Sequence, residues 1–549
     1  MPGTALPHVR PPTLSTLAGP HPAIRLDPEA PVRTRFTLLC LLLAALARSG
    51  ETSDQPGTGW ASFAGDGGFA VAPTGLHLVP EGSAARLAWR HDEHMGVQKT
   101  KQTGPEQFYG GTATVIVGQG IVFTTYISPS GQVRDTTSKN RYYDLSQGTP
   151  RMGLIDADDV AVAVDAETGK ALWRAEEAGA SLNLLFGKRG HYGVSPAYGD
   201  GRFFAWGGIG IVYAYDAATG KKLWQTAVEP FHGKAAAAKA KSLAERKLID
   251  TYGKDPLFTD LKTGLVAAGG VVAAPDGNGG LVGLDAATGQ VRWTAKDVIA
   301  RGATPATWRK DGSPYLLCPT GAKTESTVTL LDPASGKAVW NRRLGGPNRT
   351  SLVVGDGDIV LLNTRGNNQT GEAGPQGDAK AGSGLFGGFR LSTAGAEPLW
   401  ILEDIPENWH DIRPDRGMNR RVAIRGTTAF ALLGTGKEGQ RVATIDLSTG
   451  KVQRRTSETF EGTACSPLII DDRLVFGRDL CHSWDGIAFA MYRIGADGAL
   501  AACSDIAVAK DLKVDVVTDY EVANEAACWR GRIFTKALNG LVAIDLRQP

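Results

Sequence analysis

The sequence predicts an all-β protein made of repeated four-stranded antiparallel sheets, and two observations carry this prediction. The first is a short phrase that recurs along the chain: hydrophobic, Asp, two small residues, Thr-Gly-Lys, any residue, hydrophobic, Trp. The second is that a β-rich run precedes each copy, and another pair of β-rich runs follows each tryptophan after a loop. Self-similarity at a roughly fixed spacing indicates a repeat architecture, and four short strands per repeat form the blade of a β-propeller. The clearest copies occupy residues 164–173, 215–224, 284–293 and 331–340.

Each copy of the phrase has the composition of a hairpin. Its Asp accepts hydrogen bonds from nearby backbone N–H groups, and its Gly supplies the positive φ that the turn needs. Degenerate copies at 391–400, 445–454 and 492–500 fill the gaps between the clear ones. The chain stops in mid-phrase at 541–545, and the missing half of that phrase stands at the other end, at 85–89.

The two ends of the chain are expected to share one blade. An N-terminal outer strand added to C-terminal inner strands closes the ring and leaves no open sheet edge at the seam. With this closure the turns number eight, so we predict an eight-bladed propeller, with turns at 165, 216, 285, 332, 395, 446, 496 and 545. Seven blades are the alternative if the weak copy near Gly495 is a false match.

The predicted organisation has three parts. An N-terminal extension with a signal peptide covers 1–47, a lead-in segment covers 48–84, and the propeller covers 85–549. An Ala- and Lys-rich stretch at 234–246 predicts one helix within an insertion between blades.

The repeated phrase resembles the repeat of the PQQ-like β-propellers, named after pyrroloquinoline quinone (PQQ). These include the quinoprotein alcohol dehydrogenases and the BamB-type outer-membrane assembly lipoproteins. Residues 60–68 similarly resemble the W-x-x-F-x-G-x-x-G motif of many bacterial members. The resemblance implies that the terminal tryptophans dock between neighbouring blades. It gives this structural role to Trp89, Trp173, Trp224, Trp293, Trp340 and Trp400.

The N-terminus has the pattern of a signal peptide. Arg33 and Arg35 precede an apolar run at 36–45, and residues 45–47 fit a small-x-small cleavage site. The run is too short for a transmembrane span, so we expect none in the mature chain and a periplasmic or secreted location. Cys40 lacks the small residue that a lipobox places before its cysteine. A lipid anchor is therefore not expected, which departs from the BamB-type lipoproteins.

Bulk charge and cysteine content narrow the function classes. The formal net charge is only +2, so nothing indicates nucleic-acid binding. Removal of Cys40 with the leader leaves an odd number of the six cysteines. Cys465 and Cys481 flank one predicted hairpin, so a disulfide between them is one interpretation and buried thiols are the other.

Histidines and acidic residues cluster after the tryptophans. Because propeller topology sends the chain from each outer strand to the next inner strand along one end of the ring, these residues should share that end. Imidazole and carboxylate together suit a divalent metal or a polar ligand, although no pair here has the spacing of a known metal motif. Solvated polar loops are the alternative, and whether a metal binds stays open. The candidate ligand-binding residues are His91, Asp92, His94, His191, His410, Asp411 and Arg413.

No catalytic residue is assigned. The resemblance to quinoprotein alcohol dehydrogenases implies an adjacent Cys-Cys pair over the quinone, and no two cysteines here are adjacent. The chain also has no CxxCH, Gly-x-Ser-x-Gly, Walker or HExxH motif. PQQ is therefore not expected, and the identity of any cofactor stays open.

We predict an exported, monomeric binding or assembly scaffold of the bacterial cell envelope, with a protein or peptide partner and no catalysis of its own. One alternative is a quinone- or metal-dependent oxidoreductase that uses the central channel. Another, by resemblance to the BamB-type proteins, is an envelope-assembly factor that captures a peptide or partner loop. Three or more convergent carboxylate or imidazole groups around a cofactor-sized cavity would favour the enzyme.

Overall fold

The computed structural model divides the chain into residues 1–52 and 53–549, and every residue described below belongs to the second unit. The described residues are 59–63, 65, 70–71, 76, 78, 85–93, 97–100, 104–108, 113–133, 152–186, 194–245, 263–299, 303–322, 325–344, 351–355, 357–363, 386–402, 422–433, 441–456, 467–478, 488–503, 506–507, 526–537 and 540–548.

Nine strands lie between the first described residue and the end of the first blade. The first three precede the blade, the next two form an extra hairpin, and the last four are the blade itself. In chain order they are β1 (Gly59–Trp60), β2 (Ala70–Val71), β3 (Arg86–Asp92), β4 (Val97–Thr100), β5 (Gly104–Phe108), β6 (Ile116–Gly118), β7 (Ile121–Val133), β8 (Met152–Asp165) and β9 (Ala171–Phe186). Blade 1 is β6 to β9, and its sheet continues with β1 beside β6 and with β5 and β4 beyond β9.

Blades 2, 3 and 4 are regular four-stranded meanders. Their strands are β10 (Ala197–Gly199), β11 (Arg202–Trp206), β12 (Ile211–Asp216), β13 (Lys222–Ala227), β14 (Val266–Ala268), β15 (Val271–Pro275), β16 (Leu281–Asp285), β17 (Val291–Ala295), β18 (Ala306–Lys310), β19 (Ser313–Ala322), β20 (Glu325–Leu331) and β21 (Ala338–Arg343). Helix α1 (Phe231–Glu245) lies between blades 2 and 3 in sequence.

Blades 5 to 8 complete the ring. Their strands are β22 (Ser351–Val354), β23 (Ile359–Asn363), β24 (Phe386–Ser392), β25 (Gly395–Leu402), β26 (Val422–Arg425), β27 (Thr428–Leu433), β28 (Arg441–Asp446), β29 (Val452–Arg455), β30 (Leu468–Ile470), β31 (Arg473–Arg478), β32 (Ala488–Ile494), β33 (Leu500–Ala502), β34 (Ile506–Ala507), β35 (Ala527–Trp529), β36 (Arg532–Ala537) and β37 (Gly540–Asp545). Blade 7 also contains β2, and the outer strand of blade 8 is β3.

The eight-bladed, all-β prediction is confirmed, and the seven-bladed alternative is wrong. The weak copy of the phrase near Gly495 forms the hairpin between β32 and β33 of a real blade. The predicted closure is also present, since β3 pairs antiparallel with β37 from Arg86↔Asp545 to Asp92↔Gly540. The helix predicted at 234–246 is α1, which begins three residues earlier, at Phe231.

The repeated Asp forms the turn between the third and fourth strands of a blade. Asp165 Oδ1 accepts hydrogen bonds from the backbone N–H of Glu167 at 3.1 Å and from the N–H and hydroxyl of Thr168 at 2.9 and 2.8 Å. Asp216 and Asp285 bond their own turns in the same way. We call the end of the ring that carries these turns the turn end and the opposite end the loop end.

The tryptophans of the phrase link each blade to the next. The indole N–H of Trp173, for example, donates to the Ala217 carbonyl at 2.8 Å. Gly220, at φ +71°, passes so close beneath the ring that a Cβ there would lie 2.6 Å from its carbons. The tryptophans at positions 89, 173, 224, 293, 340 and 400 donate to the carbonyls of Ala166, Ala217, Ala286, Pro333, Ser392 and Leu447.

The seam between blades 8 and 1 carries an ion network as well as Trp89. The buried Arg532 donates to Asp545 at 3.1 Å and to the carbonyls of Ala166 and Glu167 at 2.8 and 2.7 Å. Arg547 donates to Asp545 from Nε at 2.9 Å and from a terminal nitrogen at 2.8 Å. Burial raises the pKa of Asp545, but hydrogen bonds from Arg547 and the arginine charges outweigh it and hold that pKa at about 2.

Candidate functional site

His91 and Asp92, two of the predicted ligand-binding residues, lie at the loop end of β3 but face different surroundings. Asp92 points to solvent, where Arg90 Nε lies 2.8 Å from its Oδ1. The half-buried His91 places Nε2 3.9 Å from Glu93 Oε2. Thus only His91 of this pair joins the interior of the cluster described next.

Glu93 is the centre of a polar cluster where blade 8 meets blade 1. Its Oε1 accepts a hydrogen bond from the Tyr126 hydroxyl and another from Arg174 Nε at 3.1 Å. Arg174 also contacts Glu176 at 2.5 Å. Burial, together with the hydrogen bond to Glu93, raises the pKa of the Tyr126 phenol, so this hydroxyl stays protonated at neutral pH. We call His91, Glu93, Tyr126, Arg174 and Glu176 the rim cluster.

A buried lysine lies beside the rim cluster. Lys536 is opposite Leu541, which is opposite His91, so the three side chains share the sheet face that looks toward blade 1. The Lys536 ammonium donates to the Thr125 carbonyl at 2.9 Å. Burial lowers the pKa of Lys536 to about 7, because the charged form loses its hydration.

A second set of acidic groups lies between blades 1 and 2. Asp159 accepts hydrogen bonds from the Gly208 N–H at 2.9 Å and the Tyr213 hydroxyl at 3.1 Å. Burial raises the pKa of this carboxyl more than its hydrogen bonds lower it. Glu177 is opposite Asp159 on β9, and it accepts from the Tyr215 hydroxyl at 3.1 Å.

Helix α1 packs against blades 1 and 2 at the loop end of the ring. Phe231 packs against Trp206 with ring centroids 5.6 Å apart, and His232 Nδ1 lies 3.0 Å from the Ile209 carbonyl oxygen. Lys239 donates to the Gly179 carbonyl, while Asp158 accepts from the Gly179 N–H at 2.6 Å. No helix among the described residues is long and apolar enough to cross a membrane.

The chain's own N-terminal segment enters the central channel. Strand β1 pairs with β6, the innermost strand of blade 1, and β2 pairs with β30, the innermost strand of blade 7. The Ala61 carbonyl accepts the Tyr198 N–H of blade 2 at 2.9 Å. Phe63 is 1% exposed and lies against Gly264 at the start of blade 3. Part of the lead-in segment therefore lies along the inner edges of the blades, where it lines the central channel.

Small hydroxyls line the starts of the innermost strands near this segment. Ser195 Oγ accepts the Thr114 N–H at 3.2 Å, and Thr263 Oγ1 donates to the Ala303 carbonyl at 2.6 Å. In the part of the chain that the structure describes, no group of three or more His, Cys, Asp or Glu side chains is arranged to hold a metal ion.

The other predicted site residues lie outside the described residues. They are His94, His191, His410, Asp411 and Arg413, together with the cysteines of the predicted disulfide, Cys465 and Cys481. Their roles stay predictions.

Sequence reasoning missed Tyr126, Arg174, Lys536 and Asp159. One signal for Asp159 was available, because residues 158–159 put two acids directly before the apolar run 160–164. A signal was also available for Lys536. This charged residue follows Phe534 and Thr535 within a strand whose apolar pattern predicts burial, and charged residues are rarely buried.

A family model described as "Outer membrane protein assembly factor BamB" matches residues 156–350 and 319–479, which together cover more than half of the chain. The chain belongs to this family of PQQ-like β-propellers. A search of curated proteins found no match.

Solved structures similar to this PQQ-like propeller include both a BamB and alcohol dehydrogenases. BamB from Moraxella catarrhalis is 12% identical, with 84% of this chain and 97% of that chain covered and a TM-score of 0.43. The quinohemoprotein alcohol dehydrogenase ADHIIG from Pseudomonas putida HK5 is 11% identical, with 90% of this chain and 81% of that chain covered and a TM-score of 0.47. The quinohemoprotein alcohol dehydrogenase from Comamonas testosteroni is 15% identical, with 80% of each chain covered and a TM-score of 0.37.

Proposed function

We propose that this PQQ-like propeller is an exported scaffold of the bacterial cell envelope that binds a protein or peptide partner and has no catalysis of its own. One observation carries the proposal. The central channel, where the alternative oxidoreductase would hold its quinone or metal, is lined by residues 59–63 of the chain itself, with Phe63 buried. Among the described residues, the groups near that segment are hydroxyls and backbone groups such as Ser195 and Thr263, and no three His, Cys, Asp or Glu side chains there are arranged to hold a metal ion.

The partner site in this proposal is the rim cluster. The side chains of Arg174 and Glu176 are 43% and 38% exposed. The Glu93 side chain is 14% exposed, and its carboxylate orients Arg174 by accepting a hydrogen bond from Nε. Arg174 and Glu176 stand on β9, and Glu93 directly follows β3, so the geometry of the two exposed groups is set by a strand before a partner arrives, which reduces the ordering cost of binding. Exposed charges of both signs favour a polar partner surface with complementary charges and salt-sensitive association.

The enzymatic alternative is tested by adding PQQ with calcium to the purified mature protein. We expect no saturable change in the quinone absorbance and no dye-linked alcohol oxidation. Tight quinone binding or dye-linked alcohol oxidation would contradict the scaffold proposal.

The partner site is tested by photo-crosslinking in the producing cell. A photoreactive amino acid replaces Arg174 in one variant and Lys221, another exposed basic residue but at the turn end, in a matched control. We expect a discrete adduct from position 174 that is absent from position 221. In a further variant that keeps Arg174 and carries the photoreactive residue at Glu176, Glu93→Gln should weaken the adduct, because Arg174 loses its charged partner. Equal adducts from both positions, or none from 174, would contradict docking at the rim cluster.

A further inference from the structure

Arg174, on the outer strand of blade 1, is held by a cyclic network of hydrogen bonds. Its Nε donates to Glu93 Oε1 at 3.1 Å. Its Nη2 donates at 3.3 Å to the Tyr126 hydroxyl, which itself donates to the same Glu93 oxygen. Its Nη1 donates to Glu176 at 2.5 Å. Each nitrogen of the guanidinium therefore has a partner within the chain, and these contacts fix the plane of the group.

The partners of Arg174 approach the guanidinium along its edges. The N–H bonds of a guanidinium lie in its plane, so their acceptors lie near that plane and leave the two faces to other contacts. The Arg174 side chain is nevertheless 43% exposed. The part of the group that a binding partner can reach therefore includes a flat, cationic face.

The charges around Arg174 disfavour an acidic partner group. One guanidinium contacts the carboxylates of Glu93 and Glu176, so these three side chains carry a formal charge of −1 in total. A further carboxylate would be repelled by two others, and a basic group would compete with Arg174 for Glu176. The electron-rich face of an aromatic ring is attracted to a cation and adds no net charge. The exposed guanidinium face therefore suits an aromatic ring.

An exposed leucine lies beside Arg174 on the same strand. Leu172 and Arg174 flank Trp173, whose indole is turned toward blade 2. Leu172 is the extra residue of a β-bulge between Ala171 and Trp173, and it is 39% exposed. The outer strand thus presents an apolar side chain and a guanidinium within two residues of each other.

The five other blades that keep the tryptophan lack this combination. Their residues before and after the tryptophan are Leu223 and Gln225, Arg292 and Thr294, Val339 and Asn341, Leu399 and Ile401, and Ala88 and Arg90. Leu223 of blade 2 is 42% exposed, much like Leu172, but glutamine follows its tryptophan where blade 1 has arginine. Blade 2 therefore supplies a control for a site that needs both residues.

We infer that Arg174 and Leu172 form an anchor site for an aromatic side chain of the partner, with the ring stacked on the Arg174 guanidinium and its edge packed against Leu172. This inference rests on the proposed function and adds the chemistry of the group that docks. Tryptophan and tyrosine fit the site well, because tryptophan gives the strongest cation–π attraction and both residues concentrate binding energy at interfaces.

Binding of an aromatic side chain is tested by fluorine-19 NMR on the full mature chain. The reporter is a capped pentapeptide, Ser-Gly-X-Gly-Ser, in which X is 4-fluorophenylalanine. Unlabelled peptides with phenylalanine, cyclohexylalanine, glutamate or lysine at X compete with it. Cyclohexylalanine has the size of phenylalanine without its π electrons, so we expect phenylalanine to compete at about two- to fivefold lower concentration. The glutamate peptide should compete least.

Three variants assign the binding to the anchor site. Arg174→Gln removes the cation, so the advantage of phenylalanine over cyclohexylalanine should fall to about one. Leu172→Ala should weaken both peptides alike, and Leu223→Ala should change neither. The anchor is overturned by a reporter that does not bind saturably, by equal competition from phenylalanine and cyclohexylalanine, or by strongest competition from glutamate or lysine. An advantage that survives Arg174→Gln would overturn it as well.

Crosslinking in the producing cell separates this inference from the proposed function. With the photoreactive residue at Glu176, a discrete adduct supports docking at the rim cluster whatever group docks there. Mass spectrometry should place an aromatic residue within the crosslinked segment of the partner, and Arg174→Gln should weaken the adduct. An adduct that is unaffected by Arg174→Gln and maps to a segment without an aromatic residue would overturn the anchor and leave the scaffold proposal standing. If no adduct forms, the scaffold proposal is contradicted and the peptide competition still decides the anchor.

Discussion

Gly220→Ala is expected to destabilise the junction between blades 1 and 2 far more than Gly201→Ala does. The two glycines belong to the same blade and have φ values of +71° and +70°. A methyl group on Gly201 meets nothing within 4 Å, so its cost is the left-handed backbone alone, about 1–2 kcal/mol. A methyl group on Gly220 also lies 2.6 Å from the Trp173 ring, and displacing that ring adds about 1–3 kcal/mol.

The assay is local hydrogen exchange in β9, β12 and β13, with the thermal midpoint of the whole protein as a second measure. Local exchange is needed because a large ring need not unfold in a single step. A double-mutant cycle tests whether the extra destabilisation comes from the Trp173 ring. In a Trp173→Ala background the ring is absent, so Gly220→Ala should lower the stability no more than Gly201→Ala does. Equal destabilisation by the two substitutions in the native background would refute the docking geometry.

Three further predictions concern single groups. Trp224→Phe replaces the indole with a smaller phenyl ring and removes the N–H that donates to the Ala286 carbonyl at 3.1 Å, so we expect a loss of at least about 1 kcal/mol, measured by exchange in β13 and β16. The folded pKa of Asp545 is about 2 against a usual 3.8, so its stabilisation is present above pH 3.8 and is lost as pH falls toward 2. Acid titration of unfolding should therefore be shallower in Asp545→Asn between those values. The folded pKa of Lys536 is about 7 against a usual 10.5. Between pH 7 and pH 10.5 the unfolded chain therefore binds more protons than the folded chain. The free energy of unfolding should rise with pH across that range by at most about 1.4 kcal/mol per pH unit. Lys536→Met should flatten that rise, and an unchanged slope would show that the lysine is not the group responsible.

Much of the fold could be read from local chemistry. Asp165 and Gly169 act within one turn, because a carboxylate reaches N–H groups two and three residues away and glycine accepts a positive φ. Such contacts depend on neighbours in sequence, so the repeated phrase indicated both the hairpin and the number of blades. The shared blade followed because the half-phrases at the two ends complement each other.

The candidate site was less accessible to the same reasoning. Propeller topology predicted the loop end for His91 and Asp92, but strand alternation then separates them, with His91 toward Glu93 and Asp92 in solvent. The partners of Glu93 come from residues 33 and 81 positions away, Tyr126 and Arg174. Those contacts depend on how β3 of blade 8 lies beside β7 and β9 of blade 1, which no local pattern encodes.

The sequence by itself determined the all-β class, the eight blades and the closure of the ring, because turn chemistry and strand alternation act over a few residues. Only the tertiary structure decided which charges meet at the rim cluster and which lysine is buried behind it. It also decided that residues 59–63 line the central channel against blades 1, 2 and 3. The physical reason is that burial and ion pairing arise where distant strands pack, and their energies depend on distances that sequence spacing does not contain.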